Sequence, residues 1–189
     1  MVRPLRLKSE LIEFDYLGLR KIISGGQCGA DRGGLEAAKT FGLETGGTAP
    51  LGFRTANGPD PSLAEFGLVE DSSTHYRPRT LRNILDSDGT VIFASNFTSS
   101  GTELTINLCK KHKKPVYLVH LPMTIDRWIP FVNDMTARFI IKHRIDTLNV
   151  AGNRDRAENK NFHRDSAKGL LEEVLGDLQA LEFLNVPTK

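Results

Sequence analysis

The chain has 189 residues, 39% of them hydrophobic and 25% charged, with a net charge of +2. That is enough apolar chain for one buried core, too even a charge for a broad nucleic-acid surface, and no apolar run near the roughly 18 residues of a membrane-spanning helix. Two cysteines, Cys28 and Cys109, exclude a disulfide framework and point to the reducing cytoplasm, and a start broken by Arg3, Arg6, Lys8, Glu10 and Glu13 holds no signal-peptide stretch.

Residues 1–18 carry mixed charge and few turn signals and read as an N-terminal extension to one domain over 19–189. The first strand is the β-branched run at 19–23, ended by Ser24-Gly25-Gly26. Leu35, Ala38 and Phe41 at helical spacing predict a helix over 31–41, stopped by Gly42. A short second strand is expected over 44–50. Residues 51–74 contain Gly52, Gly58, Pro59, Pro61 and Gly67 with little periodicity, and read as a long loop covering a site.

The alternation then repeats. A helix over 79–86 precedes the strand Thr90-Val91-Ile92-Phe93-Ala94, and after Ser99-Ser100-Gly101-Thr102 a helix runs to His112. Pro115 opens a strand at 116–119, and a helix within 125–139 is expected to be interrupted or kinked at Pro130. The last strand is placed at 147–150, ended by Ala151-Gly152-Asn153. The terminal helix, over 162–184, sets Leu170, Leu171, Val174, Leu175, Leu178 and Leu181 on one face. Short apolar strands alternating with helices predict an α/β fold that is Rossmann-like: a mainly parallel sheet of four or five strands with helices on both faces.

In such sheets, ligands sit beyond the carboxyl ends of the strands, near a switch in strand order. Three strand ends, at 24–34, 99–103 and 149–154, are rich in small and polar residues. The first two open helices, whose unpaired N–H groups and dipole hold anions. Glycine lets the backbone approach a phosphate closely, Ser24 and Thr102 add hydroxyls, and Arg32 or Arg154 supplies charge-assisted bonds. The first loop is neither GxGxxG nor a Walker loop; the plain alternative is a tight strand-to-helix turn.

The run Ile23-Ser24-Gly25-Gly26-Gln27-x-Gly29-Ala30-Asp31-Arg32-Gly33-Gly34-Leu35 resembles the opening motif of the molybdenum cofactor carrier family, a branch of the SLOG superfamily of Rossmann-like nucleotide-binding domains. The resemblance continues through Arg79-Thr80-x-x-Asn83, Asp86-Ser87-Asp88-Gly89-Thr90, Gly101-Thr102-x-x-Thr105, Lys114-Pro115 and Leu148-Asn149-Val150-Ala151-Gly152. It implies an α/β fold, a homo-oligomer, and a site for molybdenum cofactor or a related phosphorylated ligand. The chain departs from the family at Cys28, where Thr is usual, at Asn153 before Arg154, where Pro is usual, and at Ser100, in place of the first Gly of Gly-Gly-Thr. The related "lonely guy" phosphoribohydrolases place a catalytic Glu three residues after the Gly-Thr pair. Here that position is Thr105, and Glu103, two residues earlier, points about 200° away around the helix.

The expected ligand site comprises Ser24, Gly25, Gly26, Gln27, Cys28, Asp31, Arg32, Gly101, Thr102, Asn149, Gly152 and Arg154. Backbone N–H groups and Arg32 take the phosphate, while Gln27, Asp31 and Asn149 select the organic part. Asp31 is either a ligand acceptor or a cap on the helix it opens. Cys28, before a helix start that favours thiolate, is a candidate nucleophile, metal ligand or redox position; a small buried residue is the plainer reading. Arg77, Arg79 and Arg82 flank the long loop, and Arg79 either reaches the site or lies on the surface. The run Lys110-Lys111-His112-Lys113-Lys114 reads as a solvated helix end. His75, His120, His143 and His163 are isolated and receive no catalytic role, and no CxxC or HxxxH spacing suggests a metal site.

The expected function is a non-enzymatic, cytoplasmic binding protein for a phosphorylated nucleotide-like or pterin ligand, with no membrane or nucleic-acid partner. The alternatives are a nucleoside-monophosphate phosphoribohydrolase using Glu103, and a sensor or sequestering protein for an ADP-ribose-like signal.

Overall fold

A computed structural model describes residues 18–122 and 129–184; of the expected N-terminal extension, only Gly18 falls within them. The elements alternate along the chain as β1 (Lys21–Ser24), α1 (Ala30–Thr40), β2 (Glu44–Ala49), β3 (Arg54–Thr55), β4 (Gly58–Pro59), a 3-10 turn (Pro61–Phe66), β5 (Leu68–Glu70), α2 (Tyr76–Leu85), β6 (Gly89–Ala94), α3 (Ser100–Lys111), β7 (Val116–His120), α4 (Ile129–Lys142), β8 (Thr147–Gly152) and α5 (Phe162–Leu184). Six strands form one sheet in the order β5-β2-β1-β8-β6-β7, and every pairing within it is parallel. The chain builds outward from β1 to β2 and β5, crosses to β6 and β7, and returns to insert β8 between β1 and β6. This is a Rossmann-like α/β fold whose switch in direction falls at β1, β8 and β6.

Burial explains the strand sequences. Every residue of β6 is buried, as are Leu148 and Val150 of β8, because helices cover both faces of the central strands. On one face α1, α4 and α5 join a single apolar cluster; on the other, Ile84 of α2 packs with Leu108 and Cys109 of α3. Leu171, Val174, Leu175 and Leu178 of α5 belong to that large cluster, as the helical spacing predicts.

Three expectations need correction. The sheet has six strands, not four or five. Residues 51–74 are not an unstructured loop: they hold the β3–β4 hairpin, the 3-10 turn and β5, which pairs with β2 from Gly47↔Leu68 to Ala49↔Glu70. A three-residue strand is too short to show periodicity and owes its state to its partner. Pro130, finally, does not interrupt α4, which is continuous from Ile129 to Lys142.

Charged groups join α1 to α5. Arg164 donates to Glu36 through Nε at 2.9 Å and Nη2 at 2.6 Å, and Arg32 Nε adds a bond at 3.1 Å. Burial pushes the Glu36 carboxyl up, but the Arg164 and Arg32 guanidinium groups outweigh it and hold it below the ordinary range. The stabilisation is therefore present above the unfolded carboxylate value of about 4.3 and is lost as pH falls through the lower folded value. Glu36→Gln is expected to lower stability by about 1–2 kcal/mol at neutral pH, with the deficit vanishing in acid; urea unfolding at both ends of that range measures it.

Candidate functional site

The β1–α1 loop is fixed first by its own residues. Ser24 is fully buried, and its Oγ accepts the Gly26 N–H at 3.1 Å. Gly29 precedes α1 with φ 103°, and a Cβ there would strike the Asn153 carbonyl, so only glycine lets this loop lie on the end of β8. Two backbone bonds seal the contact: Ala30 N to Asn153 O at 3.2 Å and Asp155 N to Cys28 O at 3.3 Å.

Arg79 crosses from α2 into this loop. Its guanidinium occupies the space a Cβ on Gly25 would need, and Nη1 lies 3.3 Å from Asp31 Oδ2. Asp31 Oδ2 also accepts the Gln27 N–H at 3.3 Å, so Asp31 braces the loop preceding α1, whose N-cap is Gly29. Burial pushes the Asp31 carboxyl above its ordinary value, against the opposing pull of Arg79 and the Gln27 N–H. Arg79 Nε is buried and has no hydrogen-bond partner.

Asn153 organises the other side. Its Oδ1 accepts Ser95 N at 3.0 Å and Asn96 N at 2.9 Å, while Nδ2 donates to Asn96 O at 2.9 Å and Thr102 Oγ1 at 2.8 Å and lies 3.1 Å from Ser99 Oγ. One amide side chain thus ties the end of β8 to the β6–α3 loop and the first turn of α3. That turn begins at Ser100 without a side-chain cap, leaving its first N–H groups without intrahelical acceptors.

Between these parts lies a cavity of about 610 Å³, within the size range of small-molecule sites. Of the residues expected there, Gln27, Asp31, Gly101, Thr102, Gly152 and Arg154 line it. Ser24, Gly25 and Gly26 shape the turn behind the wall, and Gly26 packs on Leu63 and Leu68. Asn149 is buried inside the sheet, where Nδ2 donates to Thr90 Oγ1 at 3.1 Å, and it is not on the cavity wall. Arg32 is off the cavity wall: it bonds Glu36, Asp60 at 3.3 Å and Ser62 at 3.2 Å, and its guanidinium lies 4.5 Å from the Phe66 ring centre. Arg79, from α2, lines the cavity instead. Glu103 is exposed on α3 and outside the lining.

Cys28 is half-buried, with Sγ 3.2 Å from Gln27 Oε1 and 3.7 Å from the Asp155 carbonyl. Burial, then the Asp155 charge, pushes its thiol up, which corrects the expectation that the helix start favours thiolate. The histidine reading also changes for one residue: His163 lines the cavity, buried between Asp155 and Ser95. Sequence reasoning missed Ser95, Asn153 and His163. The only available signal for Asn153 was its departure from the usual Pro. Among the described residues, no group of three or more His, Cys, Asp or Glu is placed to hold a metal, and no helix is long and apolar enough to cross a membrane.

Residues 22–175 match the model of the circularly permutated YpsA SLOG family. Among solved structures, the chain is similar to one titled "Putative molybdenum carrier protein", from Syntrophus aciditrophicus SB. The two share 34% sequence identity with a TM-score of 0.74, over 83% of this chain and 95% of that one. No curated protein matches.

Proposed function

Since the chain belongs to the circularly permutated YpsA SLOG family, we propose that it binds a small phosphorylated molecule, nucleotide-like or pterin, in the cavity at the ends of β1, β6 and β8. One observation carries this reading. The uncapped start of α3 and the Arg79 guanidinium, with its buried unpartnered Nε, line the same cavity. A helix start supplies aligned N–H donors and partial positive charge, and a guanidinium adds full charge and forked donors; together they are suited to a phosphate. Asp31 holds Arg79 in place, so the cation is positioned before the ligand arrives. Gln27, Tyr76 and Asn96 on the wall offer polar and aromatic groups to the rest of the molecule. Molybdenum cofactor is the leading candidate, because its phosphate suits those donors and the structural neighbour is named "Putative molybdenum carrier protein"; ADP-ribose-like nucleotides follow.

Calorimetry with molybdenum cofactor under anoxic conditions, and with AMP, ADP-ribose and inorganic phosphate, tests the reading. Gly101→Asp is the matched control, since a Cβ at Gly101 meets nothing within 4 Å and the fold accepts it. A carboxylate there suits the helix dipole but repels the anion, so affinity should fall about 10–100-fold at unchanged stability. Equal affinity in both proteins would place the ligand elsewhere.

A further inference from the structure

We propose that Ser95, His163 and Asp155 form a nucleophile–base–orienting triad that cleaves phosphate esters held in this cavity. Ser95 follows β6 and is exposed, with its Oγ 2.9 Å from His163 Nε2. His163 is 4% exposed, and its Nδ1 lies 3.0 Å from Asp155 Oδ1. The Asp155 carboxylate is fixed in turn by two amides at the start of α5, His163 N at 2.8 Å and Arg164 N at 3.3 Å. A carboxylate only accepts, and its contact with Nδ1 is shorter than the 3.3 Å from Asn159 Nδ2 to the same nitrogen, so Nδ1 carries the imidazole proton and Nε2 presents its lone pair to the Ser95 hydroxyl. Asn153 Oδ1, the other acceptor near that hydroxyl, is farther away at 3.3 Å and already accepts two backbone N–H groups. This is the order of contacts in which a histidine activates a serine.

The substrate class follows from the surroundings and rests on the anion site proposed above. The Ser95 and Asn96 N–H groups are spent on Asn153, so the usual acyl oxyanion hole is not formed next to the nucleophile. The same Asn153 side chain also bonds Thr102 Oγ1 in the first turn of α3, so Ser95 and that turn flank one side chain. Charge developing on a phosphoryl group would meet those donors and Arg79. Ser95 Oγ attacks phosphorus and gives its proton to His163 Nε2. The bond from phosphorus to the leaving oxygen breaks, and that oxygen takes the proton from His163. Water, deprotonated by His163, then releases phosphate from phosphoryl-Ser95 and restores the hydroxyl.

Incubating the full chain with a fluorophosphonate, followed by intact-mass and peptide mass spectrometry, tests this directly. Fluoride leaves as Ser95 Oγ bonds phosphorus, so one adduct is expected, on Ser95, and none on Ser95→Ala. His163→Gln, which fills the same buried site without the base, should label at least about 100-fold more slowly. Asp155→Asn serves as the second variant, with circular dichroism checking both folds. Turnover of p-nitrophenyl phosphate should fall in parallel. An unmodified Ser95, or labelling of His163→Gln and Asp155→Asn at the unsubstituted rate, would overturn the triad while leaving calorimetric AMP binding untouched. Labelling that neither AMP nor phosphate slows would overturn phosphate esters as the substrate class.

Discussion

Arg79→Met should destabilise the protein by about 3–5 kcal/mol near neutral pH and weaken phosphate binding about 10–100-fold. The two effects have separate causes. Arg79 and Asp31 are an ion pair with side chains only 12% and 5% exposed, so methionine fills the volume but leaves a buried carboxylate with no cation beside it. Burial already raises the Asp31 carboxyl, and losing Arg79 removes the strongest opposing influence. A group whose folded value lies above its unfolded one favours folding most below the unfolded value, and that contribution fades as pH rises through the folded value. The variant's deficit should therefore grow from acid towards neutrality as its Asp31 is forced to ionise. Denaturant unfolding across pH measures this, and a deficit independent of pH would show that Asp31 does not sense Arg79. The double variant Arg79→Met with Asp31→Asn should recover much of the stability but none of the phosphate affinity, because no cation returns.

Asn153→Leu should cost about 3–5 kcal/mol and remove ligand binding with it. The change strips acceptors from the Ser95 and Asn96 N–H groups and donors from Asn96 O and Thr102 Oγ1. Each lost hydrogen bond costs about 0.5–1.5 kcal/mol, and four are lost together here. Asn153→Asp separates the two roles: its carboxylate still accepts the two N–H groups but donates nothing to α3, so about half the loss is expected. Chemical denaturation of the three proteins gives the order. Equal stability of Asn153→Leu and the unsubstituted chain would mean that the β6–α3 loop is held by other contacts.

Most of the helices and strands were legible because their pattern is local. The run from Gly89 to Ala94 is apolar throughout since β6 is buried on both faces, and α5 carries its leucines on one side since it packs on one side. β5 was not legible: three residues show no period, and what makes them a strand is the edge of β2, whose Gly47 to Ala49 pair with Leu68 to Glu70. The candidate site divides in the same way. Gln27, Asp31, Gly101 and Thr102 flank helix starts, where backbone donors are free whatever the fold, and all four line the cavity. Arg32 is next to Asp31 in sequence but about 100° round the helix, so it faces Asp60 and Ser62 while its neighbour faces Arg79.

By itself, the sequence determined an α/β chain with polar, glycine-rich strand ends that open helices, because hydrophobic period, glycine placement and helix opening are properties of a few consecutive residues. Only the tertiary structure decided that Arg79 rather than Arg32 lines the cavity, and which side chains meet across it. β8 inserts between β1 and β6, and this one crossover carries Asn153, Asp155 and His163 to a serine some sixty residues earlier in the chain. Strand order is set by the summed packing of the whole sheet and leaves no mark on any single segment, so these partners became visible only once the sheet was assembled.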